Sequence, residues 1–252
     1  MSQKTAIITG ASRGLGKDMA LNLAKDGVNI IFSYHKNVKK ATEVIEEIET
    51  LGQKAVAFPF DANNYKSGQE FITKAMAYLK QENGNSNFDF LINNAGTGIF
   101  SLIPDTTEEQ FNEMMNIHLK SVYFLTQAAL PYINKSGRII NISSGLARFS
   151  LPGMSTYAMM KGGIEIFTRY LAKELGERKI TANVIAPGAI ATDFGGGMNR
   201  DNTEKRTTIS SITALGRVGE AEDIGGTVAF LCSDKAGWIN GQRIEVSGGM
   251  LV

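Results

Sequence analysis

Short apolar runs alternate with longer amphipathic stretches along nearly the whole chain, and that alternation restricts it to one class of fold. Runs at 4–9, 29–33, 54–60, 88–93, 138–143, 181–186 and 243–246 are too short for buried helices and rich in Ile, Val and Phe, so each is predicted as a strand. Between them, residues 14–26, 38–51, 67–81, 107–134 and 155–178 are predicted as helices. In the second of these, Ala41, Val44, Ile45 and Ile48 share one face. Thr107, followed three residues later by Gln110, predicts a capping box at the start of the fourth. Strand–helix alternation needs right-handed crossovers, which give a parallel sheet of about seven strands covered by helices on both faces. No repeat, low-complexity tract or linker divides the 252 residues, so 1–252 is expected to be a single α/β domain. The polar, glycine-rich insert at 192–213, with Gly195-Gly196-Gly197, is the candidate lid.

Composition removes several classes of function. With 26 Lys plus Arg against 25 Asp plus Glu, the net charge is +1, and no nucleic-acid partner is expected. The lone Cys232 excludes an internal disulfide, fits a reducing compartment and lies in the apolar run Val228-Ala229-Phe230-Leu231-Cys232, where core is its expected place. Two histidines, His35 and His118, are too few and too far apart in sequence for a zinc cluster, so no metal is expected. The first residues lead into a strand without a signal-peptide pattern, and no stretch approaches the ~20 apolar residues of a membrane span. A soluble, cytoplasmic protein with no membrane partner is expected.

Directly after the first predicted strand comes Thr9-Gly10-Ala11-Ser12-Arg13-Gly14-Leu15-Gly16, and then a helix. Glycines there allow a tight turn and close approach of a pyrophosphate to the helix N-terminus, whose free N–H groups and dipole favour anions. Further on, Tyr157 and Lys161 stand four residues apart and so share a helix face, with Ser144 thirteen residues before the tyrosine. An ammonium beside a phenol is expected to lower the phenol's pKa, letting it give or take a proton near neutrality. Ser144 is placed to hold the oxygen that the tyrosine protonates, although the adjacent Ser143 remains an alternative.

The Thr-Gly-x-x-x-Gly-x-Gly spacing resembles the short-chain dehydrogenase/reductase family, and the resemblance runs almost the length of the chain. Asn93-Asn94-Ala95-Gly96 is similar to the family's segment after the fourth strand. Pro187-Gly188-Ala189-Ile190-Ala191-Thr192 is similar to its segment after the sixth, and Gly241 with Ser247-Gly248-Gly249 to its C-terminal pattern, where an Asp is common in place of Ser247. The resemblance implies a Rossmann-type, doubly wound fold, a homotetramer, and hydride transfer between a nicotinamide and a ketone or secondary alcohol. The implied catalytic set is Asn116, Ser144, Tyr157 and Lys161. Tyr157 would be the general acid/base, Lys161 its partner and a ribose contact, and Asn116 the support of a water relay. The implied cofactor contacts are Gly10, Ser12, Arg13, Gly14, Leu15, Gly16, Tyr34, His35, Lys36, Asp61, Ala62, Asn93, Ala95, Gly96, Tyr157, Lys161, Pro187, Gly188, Ile190 and Thr192. Asp61 and Thr192 have helix capping as their alternative role. His118, two residues past Asn116, is expected on a different helix face as a structural or subunit-contact residue.

Cofactor choice is an argument from charge. An acid at the end of the second strand binds a ribose diol and repels a 2′-phosphate. Here Tyr34 takes that position, followed by His35 and Lys36, with Arg13 in the glycine loop. No carboxylate is seen locally, so NADP(H) is expected, with NAD(H) as the alternative. Leu146, Phe149, Leu151, Met154, Phe194 and Met198, with 98–100, make the expected pocket apolar, with Arg148 the one cation to watch. A hydrophobic carbonyl substrate follows. Two rival readings remain: ketoacyl reduction on an acyl carrier protein docked at Lys135 and Arg178, and a non-catalytic nucleotide-binding regulator.

Overall fold

The computed structural model describes residues 3–252; Met1 and Ser2, the start of the segment expected to lack a signal peptide, lie outside it. Seven strands form one sheet: β1 Thr5–Ile8, β2 Asn29–Tyr34, β3 Ala55–Pro59, β4 Phe88–Asn93, β5 Ile133–Ile142, β6 Thr181–Pro187 and β7 Arg243–Val246. Their order is β3-β2-β1-β4-β5-β6-β7, and every pairing is parallel. The helices are α1 Gly14–Lys25, α2 Val38–Thr50, α3 Tyr65–Asn83, α4 Glu108–Met115, α5 Ser121–Ala129, α6 Ser155–Glu174, α7 Met198–Asp201, α8 Thr203–Ser211 and α9 Glu222–Cys232.

Side chains alternate across the sheet, as the period of two requires. Ala6, Ile8, Ile30 and Phe32 pack on one face with Met19, Leu23, Val44, Ile48, Ile224 and Leu231 from α1, α2 and α9. Ile7, Ile31, Leu91 and Ile139 pack on the other with Phe71, Leu79, Leu125 and Leu171 from α3, α5 and α6. Phe88 and Phe90 should share a face, yet Phe88 joins the second cluster and Phe90 the first. A register shift between them accounts for this. The doubly wound sheet is the predicted one. Its order reverses at β1, so the crevice for a ligand lies at the carboxyl ends of β1 and β4.

Four points of the helical reading need correction. The helix predicted for 107–134 begins as expected, with the Thr107–Gln110 capping box formed at 3.1 and 3.3 Å. It is then interrupted by a wide π turn at Asn116–Lys120, where the Ser121 N–H donates to the Asn116 carbonyl. It ends near Pro131, which has no N–H to continue it, and β5 starts at once at Ile133. The helix predicted for 155–178 gives way after Glu174 to a tight turn at Gly176–Arg178. The insert expected as a loop is largely helical, α8 being capped by Asn202, whose side chain accepts from the Lys205 N–H at 2.8 Å. α9 was not predicted, because Gly225-Gly226 weakens its helical signal. Packing against α1 holds it, and Cys232 is buried in that contact as expected.

Candidate active site

The glycine loop links β1 to α1. Gly10 has φ 70° and Gly14 φ 54°, and a Cβ on Gly10 would lie 2.9 Å from the Ala95 Cα. Asn94 fixes the loop from the end of β4: its Nδ2 donates to the carbonyls of Thr9 and Gly10 at 2.9 and 3.0 Å. The Thr9 hydroxyl accepts in turn from the N–H groups of Asn94 and Ala95 at 2.9 and 3.0 Å. No side chain caps α1, and no acid stands in its first turn, so its N–H groups face the crevice free for an anion. Ser12, Arg13 and Leu15 complete the rim. Thr192 packs toward the loop, its Cβ 3.5 Å from where a Gly14 Cβ would sit. Its hydroxyl accepts from the Phe194 N–H at 3.3 Å, although the cap position of the 194–197 turn is Asp193, which makes no side-chain cap. Gly188 is held against Ser247, and Ile190 is buried below. Pro187 ends β6 at the same level. These groups fit a dinucleotide pyrophosphate.

On the adenosine side, Tyr34 ends β2, with His35 and Lys36 exposed beyond it. Ala62, Asn93 and Ala95 line a crevice with Phe60 and Ile117. The Asn93 amide nitrogen is committed to the core, donating to Thr126 at 3.0 Å and Asn141 at 2.8 Å. Asp61 accepts from the Asn63 N–H at 3.0 Å, whereas Asn64 caps α3, so Asp61 is not the helix cap. The expectation of no acid near the cations holds only along the sequence. Asp61 stands 3.9 Å from the His35 ring nitrogen. Asp193 binds Arg13 at 3.1 Å and Lys40 at 3.3 Å, and pairs with Arg200. Lys40, in the first turn of α2, belongs to this rim and was missed because helical spacing, not adjacency, brings it there.

The candidate catalytic cluster forms where β5 and α6 meet. Tyr157 is 7% exposed and Lys161 5%. Lys161 Nζ lies 5.5 Å from the centre of the Tyr157 ring and donates to the Ile142 carbonyl at 2.7 Å. Burial holds the ammonium's pKa down at about 7. The expected lowering of the Tyr157 pKa is not found: burial pushes the phenol up, and only the Ser144 hydroxyl pulls it back. Desolvation outweighs the neighbouring cation because Lys161 is itself buried and turned to a carbonyl. Ser143, the alternative to Ser144, is occupied, its hydroxyl donating to Glu165 at 2.8 Å.

Asn116 does not join the cluster. Its Nδ2 donates to Asn63 at 3.2 Å on the exposed side of the turn. The two-residue spacing does put Asn116 and His118 on different faces, but His118 is the one turned inward. It is fully buried, its ring 5.0 Å from that of Tyr157 at 88°, and its Nε2 2.7 Å from the Thr97 carbonyl. Gly96 lies against this ring, so the histidine as well as the crevice restricts that position. Histidine, uncommon in this chain and centred in the turn, was the signal available.

Phe194 from the insert covers the phenol, its ring 5.7 Å from that of Tyr157 and tight against Gly98. Phe149 packs on Gly145, and Leu151 and Met198 are partly exposed at the rim. Arg148 turns away, pairing with Glu245 at 2.7 Å and donating to the carbonyls of Met250 and Leu251. Lys135 lies at the start of β5, and Arg178 precedes β6, donating to the Leu130 carbonyl at 2.8 Å. Both are at the amino ends of the strands, opposite the site. Among the described residues no group of His, Cys, Asp and Glu could hold a metal ion, and no helix is long and apolar enough to cross a membrane.

A family model described as enoyl-(acyl carrier protein) reductase matches residues 10–251. The chain is 34% identical to the hydroxynaphthalene reductase-like protein Arp2 of Metarhizium brunneum, over 99% of this chain and 95% of that one. It is 35% identical to the 3-oxoacyl-[acyl-carrier-protein] reductase FabG of Staphylococcus aureus, over 98% and 97%. The solved angucycline C-6 ketoreductase LanV with bound NADP superposes with TM-score 0.94 at 36% identity, covering 98% of this chain and 95% of that one. With the glycine loop and the Ser144–Tyr157–Lys161 cluster at the crevice of a doubly wound sheet, these likenesses show that the chain belongs to the short-chain dehydrogenase/reductase family, oxidoreductases of alcohol and carbonyl groups.

Proposed function

We propose that this chain is an NADP(H)-dependent reductase of hydrophobic ketones, with residues 192–213 as the lid of one catalytic domain. The observation that carries the reading is the Tyr157 phenol held between the Ser144 hydroxyl, the Lys161 side chain and the Phe194 ring. When bound, the nicotinamide supplies the hydride. Ser144 holds the carbonyl oxygen, and Tyr157 donates its hydroxyl proton as charge develops there. A phenol whose pKa is raised by burial keeps that proton at neutral pH, which suits reduction. Lys161, near the point of losing its own proton, resupplies the phenol side of the site. Phe194 and Phe149 favour a substrate with an apolar, ring-bearing body and help exclude water.

Gly10, Ser12, Gly14, Leu15 and Gly16 would hold the pyrophosphate, and Arg13 with Lys36 and Lys40 a 2′-phosphate. LanV, solved with NADP, and the hydroxynaphthalene reductase-like relatives support both cofactor and substrate class. A homotetramer joined through the exposed apolar side chains Tyr123, Ile166 and Tyr170 is proposed, and the buried lone thiol fits a cytoplasmic setting. Ketoacyl carrier reduction is the second reading, favoured by the FabG likeness but not by the placement of Lys135 and Arg178. A panel of aromatic and aliphatic ketones and ketoacyl thioesters, assayed with NADPH and NADH without metal, tests the proposal. NADPH oxidation by polycyclic or aryl ketones is expected. Turnover of carrier thioesters alone would replace it with the second reading, and a better efficiency with NADH would overturn the cofactor assignment.

A further inference from the structure

His118 is buried beside the catalytic phenol and has no part in the chemistry above. Its Nε2 is 2.7 Å from the Thr97 carbonyl. A carbonyl only accepts, so this hydrogen-bond pattern assigns the proton to Nε2 and leaves Nδ1 a lone pair. That Nδ1 is buried with no partner. Against the Cε1–Nδ1 edge of the ring, a Cβ on Gly96 would come 2.7 Å from Cε1 and 3.2 Å from Nδ1. The imidazole edge meets the Tyr157 ring nearly perpendicular. One ring therefore joins the end of β4, the 116–120 turn and α6.

We propose that His118 is a positioning residue of the reaction, a neutral imidazole that fixes the Tyr157 phenol against the Thr97–Gly98 segment; this rests on the ketone-reductase reading. Neither ring nitrogen bonds the phenol or the Lys161 ammonium, so His118 passes no proton and acts through Tyr157. From α6 it is faced by Tyr157 and Lys161; from the end of β4 it meets only Gly96 and the Thr97 carbonyl, which carry no charge. Burial and the Lys161 charge hold its pKa well below the usual histidine range, and no carboxylate offsets them. An imidazolium would carry a second N–H at Nδ1, a buried position with no hydrogen-bond partner. Acidification must therefore break the arrangement, and activity falls with it.

The experiment compares wild type, His118→Leu, His118→Asn, Gly96→Ala and the Gly96→Ala/His118→Asn double variant. For each, kcat, KM and cofactor Kd are measured across pH. His118→Leu should lose about 100-fold in kcat, with cofactor Kd changed by less than about threefold. Asparagine keeps one donor and one acceptor, so His118→Asn should recover about tenfold of that loss and lack the acid limb of the wild-type profile. Gly96→Ala should cost more in wild type than in the smaller His118→Asn background, a coupling that an independent glycine would not show. Nitrogen NMR of the imidazole in wild type should show the neutral Nε2–H form at mildly acidic pH. An imidazolium there overturns the proposal, as does His118→Leu within about twofold of wild type. Equal losses in both His118 variants with an unchanged acid limb, or additive Gly96→Ala losses, reduce His118 to packing and overturn it too. Should His118→Leu fail to fold, the Asn variant and the double variant decide. A wild type inert toward every ketone overturns the reductase reading and the positioning role together, whereas a working wild type with an unimpaired His118→Leu overturns only the latter.

Discussion

The glycine loop and the 116–120 turn both abandon regular geometry to serve one crevice, and they do it by opposite means. In the loop, absent side chains let the backbone turn at positive φ and pass within contact distance of Ala95. In the turn, ordinary residues, Asn116-Ile117-His118-Leu119-Lys120, take a wide turn that no glycine or proline marks. The first device presents main-chain N–H groups; the second presents one buried ring. A site built from backbone is written in composition. A site built from side chains depends on helical phase, and a two-residue difference decides which residue faces inward.

The comparison is tested most severely at the catalytic end. Tyr157→Phe should lower kcat by about 10³-fold while cofactor Kd stays within about twofold, because the hydroxyl contributes to proton delivery and not to binding. A loss of only a few-fold would sink the mechanism. At the backbone end the pattern should invert. Gly10→Ala forces a side chain to positive φ and against Ala95, about 1–3 kcal/mol of strain, so cofactor Kd should rise about 10- to 100-fold in titration calorimetry, with kcat at saturation little changed. Unaltered binding in that variant would remove the loop from the cofactor site.

The smallest effect is on stability. Lys161 has a folded pKa of about 7, below its ordinary value, so between that pH and about 10 the unfolded chain holds a proton that the folded one lacks. Stability should therefore rise with pH through this window, and below about 6.5 the lowered His118 pKa adds a further loss as pH falls. Thermal melts of the free protein should show Tm climbing from mildly acidic to mildly alkaline pH, and Lys161→Met should flatten the upper part. A Tm indifferent to pH across that window would place Lys161 in a wetter setting than described.

Much of the fold was legible because strand runs such as Asn29–Tyr34 and Phe88–Asn93 are dense in apolar residues and bounded by turn formers. The Thr107–Gln110 box was legible because capping is local. α9 was not, since Gly225-Gly226 masks it and its stability comes from α1, far away in sequence. At the site, the spacing between Ser144, Tyr157 and Lys161 survives into space. Asn116 bonds Asn63 on the exposed side of the turn, because a two-residue step of helical phase separates it from the inward His118. The acid-free rim failed because Asp193 reaches Arg13 across 180 residues of chain, a pairing no local window contains.

That last carboxylate has a consequence in electrical terms. Asp193 and Asp201 carry two negative charges among Arg13, Lys40 and Arg200, so this cluster at the mouth of the crevice retains one uncompensated positive charge. Near-neutrality overall thus conceals a local positive excess at the entrance. Field lines converge there on any multiply charged anion over about one Debye length, ~8 Å at physiological salt. The 192–213 insert brings its own counter-ion to the mouth, and the charge left unmatched there attracts anions from solution.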